Sequence, residues 1–410
     1  MKILISASNF TPDPIGVGKF TGEMAEWLAA HGHDVRAVVG APFYPYWMIA
    51  KGYSGARYKR ERIRGVDVLR CPIYVPSRQT GIRRLLQHAT LAITQTPPLL
   101  GWALAWKPDL VWTVMPSFAG LPGALLAAKL ARAPAVLHVQ DWEVDAAFEL
   151  GLFKASLLKR LLLWLERRLV SAFSAVSTIS PRMLEGLQAK APAPRRFLFP
   201  NWVDIGLIRP LEGVSPLRAE FGIAPDAFVT LYSGNLGEKQ GVDDLISVAR
   251  LLASRPGFVM MIGGDGVGRA RLTSLAADLS NVRFVPIQPE ERFNEFLAIA
   301  DVHLMPQKST VADLVMPSKL PAMLASGRPV VAGAVAGTQL ANEVAGAGIV
   351  VPPGDPQRMA EAIVDLMDDP QRRSVLGQEA SRRARDHWDK EMVLERFEIE
   401  LKRLARRGDS

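Results

Sequence analysis

Val315-Met316-Pro317-Ser318-Lys319-Leu320 and, shortly after, Met323-Leu324-Ala325-Ser326-Gly327-Arg328-Pro329-Val330-Val331 read as one structural phrase. A loop opens a short helix over residues 317–325, a glycine turn closes it, and an apolar strand follows. A helix start presents unpaired backbone N–H groups and the positive end of a dipole. Ser318 and Lys319 add a hydroxyl and a positive charge, so the phrase suits a diphosphate. An ordinary strand-to-helix loop with a capping serine is the alternative.

The same strand–loop–helix rhythm extends in both directions. Short, nearly continuous apolar runs at 2–7, 34–39, 66–74, 109–115, 135–139 and 172–178 alternate with helical patterns, the first over 17–31. Runs of this kind predict parallel strands with helices on both faces. Residues 189–195 and 200–216 are rich in proline and poor in periodicity, which marks a junction. Alternation then restarts, with strands expected at 228–233, 258–262, 282–285, 302–305, 330–332 and 349–351. Helices are expected near 242–253, 268–279, 291–299, 317–325, 359–367, 371–385 and 390–406. The pattern predicts an α/β protein of two doubly wound Rossmann-like domains. Their expected limits are 1–195 and 205–385, with 386–410 a helix packing across the domains.

Composition narrows the classes. The chain has 410 residues, 49% hydrophobic and 22% charged, with one cysteine, Cys71. That is ordinary globular composition without a disulfide framework, and it fits a reducing cytoplasm. No secretory pattern opens the sequence, so a signal peptide is not expected. A net charge of +8 favours an anionic partner. Basic residues cluster at Arg57, Lys59, Arg60, Arg62 and Arg64, and at Arg83 and Arg84. Residues 154–169 form a basic helix dense in leucine and tryptophan, which suits either a membrane interface or a crossover helix with snorkelling cations. Residues 85–106 lack charge but contain Gln87, His88, Gln95 and the Pro97-Pro98 pair. A membrane span is rejected there, and a monotopic contact is left open. No aromatic-basic stacking motif supports nucleic-acid binding.

In open α/β sheets ligands sit beyond the carboxyl ends of the strands, and the loops there hold the candidates. Gly16 and Gly18 follow the first strand and let backbone approach an anion. The third glycine and the ribose acid of a dinucleotide fingerprint are missing. Gly234, Asn235, Gly237 and Lys239 occupy the corresponding second-domain loop, with Lys239 placed to balance charge on a departing diphosphate. Gly263–Gly266 reads mainly as turn chemistry. In the first domain, His138 and Asp141 lie at a strand end. Asp141 is placed to orient or deprotonate an acceptor hydroxyl, and His138 is either a partner in that chemistry or a satisfied core histidine. Glu143 and Asp145 suit the start of a helix. No metal-ligand cluster is evident.

These residues together resemble the retaining GT-B glycosyltransferases of the large family that includes bacterial polysaccharide and sucrose enzymes. The likeness runs over nearly the whole chain, through the opening glycine loop, Leu28–Val35, Asn201–Asp204, Gly263–Gly266 and Ala300-Asp301-Val302. The loop at 234–241, the stretch 315–320 and residues 138–151 are most similar to the WcaI-type transferases of colanic acid biosynthesis. The resemblance implies two facing domains of GT-B architecture, with a C-terminal helix returning to the first. It also implies a nucleotide-sugar donor, GDP- or UDP-linked, held mainly by the second domain, with no metal or other cofactor. Lys239, Ser318 and Lys319 would stabilise the leaving diphosphate, and Gly16 and Gly18 would close on it. Two departures stand out. The family's paired glutamates read Leu314 and Ala322 here, leaving Asp313 as a substitute carboxylate. The usual arginine of the second-domain loop reads Asn235.

The expected activity is transfer of a hexose, with fucose from GDP-fucose the first candidate, onto a lipid-linked saccharide in exopolysaccharide synthesis. The protein is expected in the cytoplasm, peripheral on the inner face of the plasma membrane and touching anionic lipid. A nucleotide-sugar epimerase on a similar fold and a non-catalytic scaffold are the alternatives.

Overall fold

The computed structural model describes residues 1–77, 81–116, 118–142, 156–190, 195–237, 240–308 and 317–407. The chain divides into two compact units, Met1–Asn201 with Val393–Ser410, and Trp202–Met392. The boundary expected at 386 falls inside a helix, and the return to the first unit comes a few residues later.

The first unit runs β1 (Lys2–Ala7), α1 (Gly16–Ala30), β2 (Asp34–Gly40), β3 (Lys59–Ile63), β4 (Val66–Cys71), α2 (Gly81–Ala105), β5 (Leu110–Met115), α3 (Leu121–Ala131), β6 (Ala135–Val139), α4 (Ser156–Ser171), β7 (Ala175–Thr178), α5 (Pro181–Lys190) and β8 (Arg196–Leu198). Its sheet has the order β3-β4-β2-β1-β5-β6-β7-β8, parallel throughout except for the β3–β4 pair. Ile3, Leu4 and Ile5 on β1 are completely buried, because helices cover both faces of a parallel sheet. Each such side chain contributes about 1.5–3 kcal/mol on leaving water.

The basic residues from Lys59 to Arg64 lie on an edge hairpin, turned by Arg64 and Gly65, both at positive φ. Two of its cations pair with carboxylates, Lys59 with Glu61 and Arg64 with Glu26, and a charged edge of this kind resists pairing with other strands. The uncharged stretch at 85–106 lies in α2, whose residues Gln87, Leu91, Gln95, Leu99 and Ala103 form a buried stripe at helical spacing. Gln95 Nε2 donates to the carbonyls of Ala7 and Val38, at 2.7 and 2.9 Å. Pro98 cannot donate to Thr94 O, and the Tyr58 hydroxyl donates there instead, at 2.8 Å. No helix among the described residues is long and apolar enough to cross a membrane.

The second unit continues α6 (Leu217–Glu220), β9 (Phe228–Ser233), α7 (Asp243–Leu251), β10 (Phe258–Gly263), α8 (Arg269–Leu275), β11 (Val282–Val285), α9 (Phe293–Leu297), β12 (Val302–Met305), α10 (Leu320–Ala325), β13 (Val330–Gly333), α11 (Gln339–Val344), β14 (Gly348–Val351), α12 (Pro356–Asp368) and α13 (Pro370–Trp388). Its sheet, β11-β10-β9-β12-β13-β14, is fully parallel. Chain order reverses between β9 and β12, so a crevice opens at the carboxyl ends of those two strands.

The last helix, α14 (Lys390–Arg407), belongs from Val393 onward to the first unit. Glu398 meets His33 at 2.7 Å, Glu400 pairs with Arg195, and Phe397 stacks on Phe199 at 3.8 Å.

Candidate functional site

At the β9–β12 switch of the second unit, two glycine loops lock together. Gly234 N–H donates to Gly263 O, Leu236 N–H to Asp265 O, and Gly268 N–H to Leu236 O, at 2.9–3.0 Å. The loops lie so close that a Cβ on Gly264 would stand 1.9 Å from Gly234 O, and one on Gly266 2.5 Å from Asn235 Oδ1. Gly264 has φ +136° and Gly266 φ +153°, values that L side chains rarely adopt. Arg269, at the start of α8, donates to Gly264 O and to Val285 O. The expected turn role of Gly263–Gly266 therefore extends to holding the neighbouring loop in place.

Beneath this pair lies Tyr232, the penultimate residue of β9 and completely buried. Its hydroxyl donates to Asn235 O at 2.7 Å, and burial pushes the phenol well above its ordinary range. Lys319 comes from the residue before α10, with Nζ 3.9 Å above the Tyr232 ring. A Cβ on Gly234 would lie 3.2 Å from the same Nζ. The amine is buried and has no hydrogen-bond partner among the described residues. Burial pulls its pKa down to about 7. A desolvated amine held over a π face, with no N–H bond to a described residue, gains a charge and a partner together when an anion arrives.

The structure thus brings Gly234, Asn235 and Lys319 together, with Gly237 in the same loop. Asn235 and Ser318 are exposed and Gly237 is half-buried. Lys239, Asp313 and Leu314 lie outside the described residues, as do Glu143 and Asp145. Ala322 sits on α10, partly buried among apolar neighbours that include Leu320 and Met323. The α10 helix spans only Leu320–Ala325, shorter than expected at its start, so the Lys319 charge outweighs the dipole as the anion-attracting element. Among the described residues no group of three His, Cys, Asp or Glu gathers in a metal-binding arrangement.

In the first unit, Gly16 has φ +66° and opens α1, where Ile15 supplies no capping side chain. Gly18 is held by contact, since a Cβ there would stand 2.6 Å from Asp13 Cβ. Asp13 organises this loop. One of its oxygens accepts from Phe43 N–H and Tyr44 N–H at 3.2 Å, and the other from Asn9 Nδ2 at 2.9 Å. Burial raises its pKa against those bonds. The sequence reading missed Asp13 and Tyr232. A tyrosine in an otherwise apolar buried run needs a partner for its hydroxyl, which was the available signal for Tyr232.

Asp141 is exposed just beyond β6, and its Oδ1 accepts from Trp142 N–H at 2.8 Å. Of the two readings offered for His138, the structure places it as a core histidine, 2% exposed. Its ring is enclosed, bonded to Ser177 Oγ at 2.9 Å, stacked on Trp112 and set edge-on to Phe199. Burial drives its pKa down to about 3, so the imidazole is neutral and packed rather than placed to exchange a proton.

The fold and this anion-seeking loop pair match known families. The Glycosyl transferase 4-like domain covers residues 16–202, and the Glycosyl transferases group 1 domain covers residues 215–383. The chain belongs to the GT-B glycosyltransferases. It is 38% identical over 408 residues to WcaI of Escherichia coli K12, named as a colanic acid biosynthesis glycosyl transferase, covering 97% of this chain and 98% of that protein. A sucrose-phosphate synthase from Thermosynechococcus elongatus superposes with a TM-score of 0.77 at 18% identity over 98% of each chain. HepE of Anabaena, solved in complex with UDP, gives 0.72 at 18% identity, covering 98% of this chain and 100% of that one. The protein is accordingly a glycosyltransferase, and the epimerase and scaffold alternatives give way.

Proposed function

We propose that this glycosyltransferase moves a hexose from a nucleotide-sugar, GDP-fucose being the first candidate, to a lipid-linked saccharide in exopolysaccharide synthesis, with retention at the anomeric carbon. The observation that carries the donor reading is the buried Lys319 amine, poised under the Gly234 loop at the switch point of the second sheet. The acceptor oxygen bonds to the anomeric carbon while the bond from that carbon to the diphosphate oxygen breaks. The acceptor proton passes to the departing diphosphate, whose growing charge Lys319 balances. Asp141 orients the acceptor hydroxyl. No metal takes part in this scheme. The similarity to WcaI supports the polysaccharide setting.

The test is thermal stabilisation by UDP, GDP, ADP, dTDP and their sugars, with EDTA present. A selective rise with GDP and GDP-fucose is expected. Selectivity for another base would overturn the GDP assignment, and no shift with any nucleotide would overturn the donor site.

We also propose peripheral contact with anionic lipid on the inner face of the plasma membrane, through α4. Leu161, Trp164 and Leu165 on this helix are exposed, by 58%, 54% and 37%, beside exposed Arg160, Arg167 and Arg168. Glu166 and Val170 point inward. An apolar stripe flanked by arginines suits the headgroup boundary. Changing the three arginines to glutamate should abolish sedimentation with phosphatidylglycerol vesicles, and undiminished binding would remove this surface from consideration.

A further inference from the structure

The opposite end of the second sheet holds a second cluster of charge. Asp301, Arg328 and Phe228 lie at the amino ends of β12, β13 and β9, away from the donor loops. Two adjoining cavities, of about 370 and 470 Å³, share Asp301, Arg328 and Arg373 in their walls. Arg218 lines the first, with exposed Asp226 also contributing, and Ser374, Gln378 and Arg385 line the second.

Hydrogen bonding divides the arginines by role. Arg218 is buried and spends all its donors on the fold, bonding the carbonyls of Ile299, Pro225 and Ala227 and the Asp301 carboxylate. Asp301 also accepts from Val229 N–H at 2.8 Å, so its charge is matched by Arg218. Arg373 gives one bond, to Leu366 O at 2.6 Å, and lies over the Phe228 ring. Arg328 donates no hydrogen bond to a described residue, and its Nε is buried without a partner. Its guanidinium is held below its ordinary pKa range first by burial and then, against the pull of Asp301, by the charges of Arg218 and Arg373. A half-buried arginine whose Nε lacks a partner, and which faces two like charges against one carboxylate already matched by Arg218, costs stability. Such a residue commonly marks a site in which binding supplies the missing partner.

We propose that these cavities form a second anion site, for a small soluble oxyanion of the phosphate class, received by Arg328 and Arg373 and separate from the donor loops. A phosphate there accepts paired N–H bonds from the planar guanidinium of Arg328. It also supplies negative charge that the cluster of arginines lacks. The inference does not depend on the donor sugar or acceptor.

Melting temperature is measured against inorganic phosphate and pyrophosphate, with ionic strength held constant by sodium chloride, for the full chain and three variants. The parent should show a saturable rise. Arg328→Gln should weaken phosphate binding at least tenfold, and Arg373→Gln should weaken it as well. Lys319→Met, in the donor loops, should leave the phosphate response intact. Without phosphate, Arg328→Gln should melt at or above the parent, since it removes a buried Nε without a partner and a charge that Asp301 offsets only in part. No saturable rise in the parent, or a rise lost in Lys319→Met and kept in Arg328→Gln, would overturn the proposal. So would an Arg328→Gln protein that melts well below the parent or fails to fold, since that would make Arg328 a structural strut.

Discussion

Lys319→Met should leave a folded protein whose kcat is lower by about two to three orders of magnitude, the usual effect of removing one preorganised group from a developing oxyanion. Nucleotide affinity should fall by much less, because the charge of the diphosphate grows as the sugar departs and the interaction is strongest then. Methionine keeps the unbranched apolar stem and a favourable contact with the Tyr232 ring. A kcat within threefold of the parent would remove Lys319 from the chemistry. Acidity gives an independent readout. The amine has a pKa of about 7 when folded, against an ordinary 10.5. Above pH 10.5 both folded and unfolded forms are neutral and the residue costs nothing. As pH falls toward 7 the unfolded chain takes up a proton that the fold resists, so the ligand-free protein loses stability across that interval and the cost is complete below it. A bound diphosphate raises the pKa again, so binding at pH 8 should draw in a proton. Calorimetry in buffers of different ionisation enthalpy detects this uptake, and Lys319→Met should abolish both the uptake and the pH slope.

Gly264→Ala should disable the donor site through the backbone. Its Cβ would fall 1.9 Å from Gly234 O, at a φ of +136°. The unfavourable φ and the overpacking each cost ~1–3 kcal/mol, about 2–6 kcal/mol together, and relief requires the two glycine loops to part. Nucleotide binding should then be lost even where the unit remains folded. Gly257→Ala is the matched control, since Gly257 has φ +71° and nothing within 4 Å of a Cβ. It should cost only the left-handed strain, about 1–2 kcal/mol, and retain binding. Denaturant midpoints and nucleotide titration separate the two. Equal losses in both variants would mean that the close approach at Gly264 is unimportant.

The contrast between these two glycines shows what the sequence could reveal. Most strands of both sheets were legible because a parallel sheet buried on both faces demands unbroken apolar runs, as at Lys2–Ala7 and Phe228–Ser233. β3 and β8 were not legible, because an exposed edge strand of sequence KRERI and a three-residue edge strand of sequence RFL carry no such run. α2 was half hidden by Pro97-Pro98, whose disruption is repaired by Tyr58, distant in sequence. At the site, the glycine loops and Lys319 were readable from composition, since close backbone approach and positive charge require those residue types. The pairing of Lys319 with Tyr232 was not, because the two residues are 87 positions apart in the sequence, and only the sheet order brings them together. His138 at the carboxyl end of a strand looked reactive by position. The rings of Trp112 and Phe199 and the Ser177 hydroxyl that enclose it come from other strands and from the segment beyond β8.

The chain leaves the first unit at Asn201 and re-enters it at Val393, so the second unit is an insertion within the first. During synthesis the second unit is translated before the segment that carries Phe397, Glu398 and Glu400. Phe199, His33 and Arg195 therefore meet these partners only after the second unit has been made. The first unit therefore cannot complete its own contacts until the whole of the second has been translated, although domains made earlier generally fold earlier.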